Sequence, residues 1–145
     1  MAVTTYWFGN APHEMGHGNV DFDADTIKCA LFTNAHAPDQ DDDYYGGSHG
    51  MTEVAQAGTY VTGGATLSSK TLTYASNVTT FDAADVTWAA PSGITARYAC
   101  IYDSTPDDKP FLWWIDFGGD EVCTGKFTIT LAAAGIATMT VTSAP

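Results

Sequence analysis

Short runs that alternate apolar residues with threonine recur along the second half of this chain. Residues 127–131 read Phe-Thr-Ile-Thr-Leu, and residues 138–142 read Thr-Met-Thr-Val-Thr. Successive side chains of a β-strand point to opposite faces, so a period of two gives each strand one apolar and one polar face. The pattern therefore predicts antiparallel strands that bury one face against a core and expose the other to solvent.

We predict about seven or eight short strands, at residues 27–32, 66–74, 78–81, 86–88, 96–102, 111–117, 126–131 and 136–142. Turn-forming residues separate them. Residues 91–93, Pro-Ser-Gly, are predicted to reverse the chain, and residues 132–135 are predicted to close a C-terminal hairpin between the last two strands. Strands at this spacing indicate an all-β fold, either an antiparallel β-sandwich or a partly open barrel.

The length of 145 residues suits a single domain that covers residues 1–145. Residues 1–20 are rich in glycine and aromatic side chains and are predicted to form an arm or one short helix. Residues 34–58 show no periodicity and contain many acids, so we expect a long acidic loop. Loops of that length are usually functional or held against another surface.

Charge argues against two classes of partner. Seventeen acids against five bases give a net charge of −12, which repels nucleic-acid phosphates and offers no basic patch to an anionic membrane. No apolar stretch approaches the length of a membrane span, and residues 1–6 lack the basic and apolar regions of a secretory signal. We expect neither nucleic acid nor membrane as a partner.

Two residue types have simple structural interpretations. Cys29, Cys100 and Cys123 cannot all pair within one chain, and each lies in or beside a predicted strand, so we expect buried free thiols. Arg97 is the only arginine among many acids, and we expect it to form a structural ion pair.

The segment His13-Glu14-Met15-Gly16-His17 matches the HExxH signature of zinc proteases, in which a helix presents two imidazoles on one face. The neighbouring glycines weaken such a helix, and Asp23 rather than histidine stands where the extended motif has its third ligand. We interpret the match as coincidence, with His13 and His17 as minor candidates for adventitious metal binding.

Aspartates alternate at positions 21, 23 and 25 and again at Asp39, Asp41 and Asp43. Neither series has the glycine and the final acid of an EF-hand loop, so solvated turns are the expected structure. The second series keeps a minor possibility of cation binding. No nucleophile elbow is present around Ser48-His49 or Cys100, and we predict no catalytic residue and no cofactor.

Adjacent Trp113 and Trp114 place one indole on each face of a predicted strand. One face belongs to the core, and the other tryptophan must be covered by the arm, by the long loop or by a partner subunit. Stacking against a carbohydrate is the alternative interpretation. The residues proposed for contacts with partners share aromatic side chains: Tyr6, Trp7, Phe8, Tyr44, Tyr45, Trp113 and Trp114.

Several segments along nearly the whole chain share a pattern with one family of proteins: residues 21–31 (DFDADTIKCAL), 38–41 (PDQD), 63–67 (GGATL), 70–74 (KTLTY), 85–88 (DVTW), 94–99 (ITARYA), 115–118 (IDFG) and the final threonine-rich strands. Together they resemble small β-rich virion structural proteins of tailed bacteriophages. The HExxH match and the cysteines do not belong to the resemblance.

The resemblance implies a non-enzymatic capsid decoration, or cement, protein that binds the shell of the major capsid protein. It also implies a homo-oligomer, with a trimer favoured, on the capsid surface of a virion assembled in the cytoplasm of a bacterial host. A head-tail connector or tail component is the alternative role. Two readings from other classes stay open beside it, a carbohydrate-binding module and a metallopeptidase.

Overall fold

Two antiparallel sheets face each other in the computed structural model, which describes residues 4–142. The elements are β1 (Thr5–Trp7), α1 (Ala11–Gly16), β2 (Ile27–Phe32), β3 (Ala65–Thr66), β4 (Thr71–Ala75), β5 (Val78–Asp82), β6 (Val86–Asp103), β7 (Phe111–Ile129) and β8 (Ala137–Thr140). One sheet has the order β1-β7-β6-β2-β3 and the other β4-β5-β8. The fold is therefore the predicted all-β sandwich, and its described sheets do not close into a barrel.

Strands β6 and β7 form one long antiparallel ribbon, which corrects four of the predicted strands. Residues 86–88 and 96–102 belong to the single strand β6, and residues 111–117 and 126–129 belong to β7. Residues 91–93 do not reverse the chain. They form a bulge, because Ala90 pairs with Gly125 and Ile94 pairs with Cys123, which leaves only Thr124 opposite three residues. Turn-forming residues suit a bulge as well as a turn, since Gly93 adopts a φ of 87° there.

Two further predictions about strand pairing are wrong. The predicted strand 66–74 is split between β3, which pairs with β2, and β4, which pairs with β5 in the other sheet. The expected C-terminal hairpin does not form either, because β7 pairs with β6 whereas β8 pairs with β5. Residues 132–135 therefore lead the chain from one sheet to the other.

The central part of the five-stranded sheet is buried on both faces, whereas alternate residues from 116 to 124 of β7 are exposed. Ile27, Cys29 and Leu31 of β2 face the second sheet, whereas Ala30 and Phe32 point to a separate apolar cluster on the opposite side. This arrangement explains why residues 29–32 of β2 form a continuous apolar run rather than an alternating one.

An outer layer covers that second face, and it consists of Phe8, which follows β1, and of residues from the long segment 33–64. Met51 and Tyr45 of the segment pack on Phe111 and Tyr102 of the sheet, beside Phe8. The predicted acidic loop is thus a packed layer of the fold. Among residues 4–142, no helix is long and apolar enough to span a membrane.

Candidate interaction surface

Two of the aromatic residues proposed for partner contacts lie in the interior. Phe8 and Trp113 have no exposed area. Phe8 stacks on Phe111 with ring centroids 4.8 Å apart, and Trp113 contacts Trp7 at 5.1 Å and Phe81 at 5.2 Å. Neither side chain offers surface to another protein, so both proposed contacts are corrected to core positions.

The N-terminal arm covers the second tryptophan. Trp114 is buried between Tyr6, whose ring stacks on it at 5.4 Å, and Phe8 at 4.8 Å. The backbone explains the contact, because β1 adds to the edge of β7 and pairs Tyr6 directly with Trp114. Of the three arm aromatics Tyr6 alone is exposed, with Trp7 half-buried, so Tyr6 remains available to a partner.

The loop tyrosines are engaged within the chain as well, and both are half-buried. The Tyr44 hydroxyl donates to the Glu14 carboxylate at 3.3 Å, which fastens the loop to α1. Tyr45 stacks flat on Tyr102 at 4.3 Å and donates to Glu53 at 2.5 Å. Burial and the hydrogen bond to Glu53 both raise the pKa of Tyr45, so this hydroxyl stays protonated. Each residue can give a partner only part of its ring.

An exposed apolar feature lies instead on the second sheet, at a place that sequence reasoning missed. An open groove of about 360 Å³ separates the turn after α1 from this sheet. Its apolar lining residues are Met15, Val20, Phe22, Leu72, Phe81 and Met139. Leu72 retains 44% of its surface, and Tyr74, two residues along the same face of β4, retains 68%.

Strand register explains why this face is open. Leu72 pairs with Phe81, and Phe81 pairs with Ala137, so all three share the face that continues into the core. Strand β4 lies at the sheet's edge beyond that core, and all five of its residues are exposed. Thr71 and Thr73 occupy its opposite face. The signal was present in the sequence as an alternating run, but alternation cannot tell whether the apolar face is covered.

The HExxH segment forms a short helix and brings its histidines together, with ring centroids 4.3 Å apart. No aspartate, glutamate, cysteine or further histidine of residues 4–142 joins His13 and His17 in a three-ligand group. Glu14 is buried and accepts hydrogen bonds from Asn10 at 3.1 Å and from Asn19 at 2.6 Å. Burial raises the pKa of Glu14, but these hydrogen bonds outweigh it and leave the pKa below its ordinary value. Glu14 therefore acts as an ionised structural anchor.

The first aspartate series encloses a cation that the chain itself supplies. Lys70 Nζ donates to the carbonyl oxygen of Phe22 at 2.7 Å, to that of Asp23 at 3.3 Å and to that of Asp25. The segment is therefore a turn, as predicted, and its carbonyl oxygens bind the lysine ammonium group. In the second series, the Asp41 amide donates to Asp39, and these two residues do not converge with Asp43 on one point.

The remaining single-residue expectations can be compared directly with the structure. Arg97 forms the predicted ion pair, since its Nε and Nη2 atoms donate to Asp116 at 3.0 and 3.2 Å. The hydrogen bonds from Arg97 lower the pKa of Asp116. All three cysteines are free; Cys29 and Cys100 are buried as predicted, whereas Cys123 is only half-buried. Burial raises the pKa of Cys29 to about 12.

No family model, no curated protein and no solved structure matches this chain.

Proposed function

We propose that this chain is a non-enzymatic structural protein of a tailed-bacteriophage virion, and that it decorates the capsid by binding the shell of the major capsid protein. The observation that carries the proposal is the open groove together with the exposed side chains of Leu72 and Tyr74 on β4. Contiguous apolar surface of this kind marks sites of protein interaction. The sequence resemblance supplies the phage context.

The composition of the surface supports an adhesive role. The chain carries a net charge of −12, yet β4 contains no charged residue and its apolar face borders the groove. Burying a leucine or an aromatic side chain contributes roughly 1.5 to 3 kcal/mol when burial is complete. A few such contacts are weak in one copy, but the symmetry of a shell repeats them many times and so stabilises the assembly.

A head-tail connector or tail component is the second candidate, because it would use the same kind of adhesive surface. The carbohydrate hypothesis requires an exposed indole, and the four tryptophans do not provide one: Trp88, Trp113 and Trp114 are buried and Trp7 is half-buried.

Cryo-electron microscopy of purified virions distinguishes the two phage roles, capsid decoration and head-tail or tail component. Density for this chain on the outer shell is expected, and density only at the neck or tail would refute capsid decoration.

A binding assay tests the surface itself. We expect the double variant Leu72→Asp/Tyr74→Asp to co-sediment with undecorated capsid shells at least tenfold more weakly than the wild type. Thr71→Asp/Thr73→Asp is the matched control, because it adds the same charges to the opposite face of β4 and should bind as the wild type does. If both double variants bind the shells equally well, the groove does not contact the shell, and this part of the proposal is wrong.

The oligomeric state is a separate part of the proposal. The resemblance favours a trimer, which sedimentation-velocity ultracentrifugation measures directly. A monomer across the accessible concentration range would overturn the homo-oligomer but would leave shell binding to be judged by co-sedimentation.

A further inference from the structure

One histidine and two aspartates converge within the outer layer, in a combination that differs from the alternating aspartates of the sequence. His36, Asp39 and Asp42 each offer one ligand atom, and these three atoms all lie within 4.8 Å of one another. The turn of residues 39–42 creates this proximity, because the Asp42 amide donates to the Asp39 carbonyl at 3.3 Å. The spacing i, i+3, i+6 therefore replaces the spacing of two that the sequence suggested.

The Asp42 carboxylate is shielded from solvent and has no permanently charged partner among residues 4–142. Its side chain is only 9% exposed, and Oδ2 accepts a hydrogen bond from the Asp39 amide at 3.0 Å and lies 3.1 Å from His36 Nε2, its one ion-pair partner in that part of the chain. That histidine carries a charge only when it is protonated. All lysines and the arginine lie outside residues 33–64, at Lys28, Lys70, Arg97, Lys109 and Lys126. A shielded carboxylate is costly unless a cation compensates it.

We propose that His36, Asp39 and Asp42 bind a divalent transition-metal ion, with Zn²⁺ as the preferred ion. One imidazole nitrogen and two carboxylate oxygens form a donor set that suits zinc and its neighbours, whereas calcium and magnesium prefer oxygen ligands alone. On binding, His36 Nε2 turns from the Asp42 carboxylate to the metal, and the metal supplies the positive charge that Asp42 lacks.

Such an ion would hold residues 36–42 in place, and backbone hydrogen bonds connect this region to the N-terminal arm and to β7. The Gln40 carbonyl, between the two aspartates, accepts from the Gly9 amide of the arm at 3.0 Å. The Asp43 carbonyl accepts from the Phe111 amide at the start of β7 at 2.9 Å. Fixing residues 36–42 therefore fixes the outer layer against the five-stranded sheet. This stabilising role does not depend on the proposed virion function.

Isothermal titration with Zn²⁺ tests the site in the full chain. We expect one Zn²⁺ per chain, and at least tenfold weaker binding in Asp39→Asn and in His36→Gln. Because Asp39 is exposed, its replacement tests metal binding without disturbing the packing of the core. The double variant His13→Gln/His17→Gln is the matched control, since it removes the other pair of neighbouring imidazoles, and it should bind as tightly as the wild type.

Two further measurements keep the assignment open to refutation. Zn²⁺ should raise the thermal unfolding midpoint of the wild type but leave that of Asp39→Asn unchanged. Co²⁺ substitution should give d–d absorption without a thiolate charge-transfer band, because no cysteine belongs to the site. The proposal is wrong if the wild type takes up no Zn²⁺, if Asp39→Asn and His36→Gln bind unchanged, if the control variant loses binding, or if the thiolate band appears.

Discussion

Asp103 is a buried acid at the end of β6, and its carboxylate has too few partners. It has no exposed area; Oδ1 accepts from the Thr105 amide at 2.9 Å, whereas Oδ2 has no hydrogen-bond donor among residues 4–142. The Asp25 carboxyl lies beside it, and the two acids can share a hydrogen bond only when one of them is protonated and donates. Burial, the contact with Asp25 and the charge of Asp25 raise the pKa of Asp103 from 3.8 to about 7, although Thr105 and Lys70 act in the opposite direction.

The sign of the pH dependence follows from this direction. An acid whose pKa is higher in the folded state binds its proton more tightly when folded, so it favours folding while it is protonated. The contribution of Asp103 is fully present below pH 3.8 and is lost as the pH rises through about 7. The difference between those two pKa values corresponds to on the order of 4 kcal/mol, since each pKa unit is about 1.4 kcal/mol.

Replacing Asp103 by asparagine removes the titration and keeps the shape. The amide is neutral at every pH and can donate to Asp25, so the variant should lose less stability than the wild type as the pH rises. We expect the free energy of unfolding of Asp103→Asn, relative to that of the wild type, to increase by roughly 2 to 3 kcal/mol between pH 5 and pH 8.5, because about two of the roughly three pKa units are lost in that interval. Urea unfolding monitored by tryptophan fluorescence measures the free energy at each pH.

The overall charge of −12 also weakens the fold as the pH rises, so a control must remove one charge without the buried carboxyl. Asp107→Asn serves this purpose, because Asp107 is an exposed residue of the loop that follows β6. The difference in free energy of unfolding between Asp107→Asn and the wild type should change little between pH 5 and 8.5. The reasoning is refuted if the stability difference between Asp103→Asn and the wild type does not depend on pH. It is also refuted if the stabilities of Asp103→Asn and Asp107→Asn change equally with pH.

Three other substitutions or reagents probe the fold. Gly64→Ala should reduce the free energy of unfolding by more than roughly 3 kcal/mol. The φ of Gly64 is +76°, and a Cβ atom there would lie 1.9 Å from the Cys29 carbonyl oxygen. Gly16→Ala is the control, because a Cβ atom at Gly16 meets open space, so this variant should be neutral or stabilising in the same urea assay. Arg97→Ala should cause a small loss of stability that disappears in 1 M salt, since its ion pair is partly exposed. In the native state a thiol reagent should modify Cys123 alone, and rapid labelling of three thiols would contradict the burial of the other two.

Local sequence patterns predicted which residues would form strands more reliably than they predicted where strands would end. Residues 91–93 have the composition of a turn, but the same residues fit a bulge, and β7 lies opposite them throughout. The choice between turn and bulge depends on a partner strand about thirty residues away in sequence, which no local pattern records. The C-terminal hairpin failed for the same reason.

The candidate sites show a similar division. Alternation correctly separated the faces of Trp113 and Trp114, but it could not reveal that the arm would cover Trp114. Solvated turns were predicted for the aspartates at residues 21–25, and the structure shows that backbone carbonyl oxygens of this segment accept hydrogen bonds from the ammonium group of Lys70. Nothing in the spacing of Asp39, Asp41 and Asp43 anticipated a cluster that contains His36, because the turn geometry selects its members.

The sequence by itself determined an acidic all-β fold with free thiols and a structural arginine, since these properties follow from composition and from the period of the β-backbone. Only the tertiary structure decided which apolar faces are covered. Residues 33–64 bury one face of the five-stranded sheet, whereas the face of β4 that carries Leu72 and Tyr74 stays open. The physical reason is that side-chain alternation is set locally, but burial is set by distant segments that compete to cover the same apolar surface.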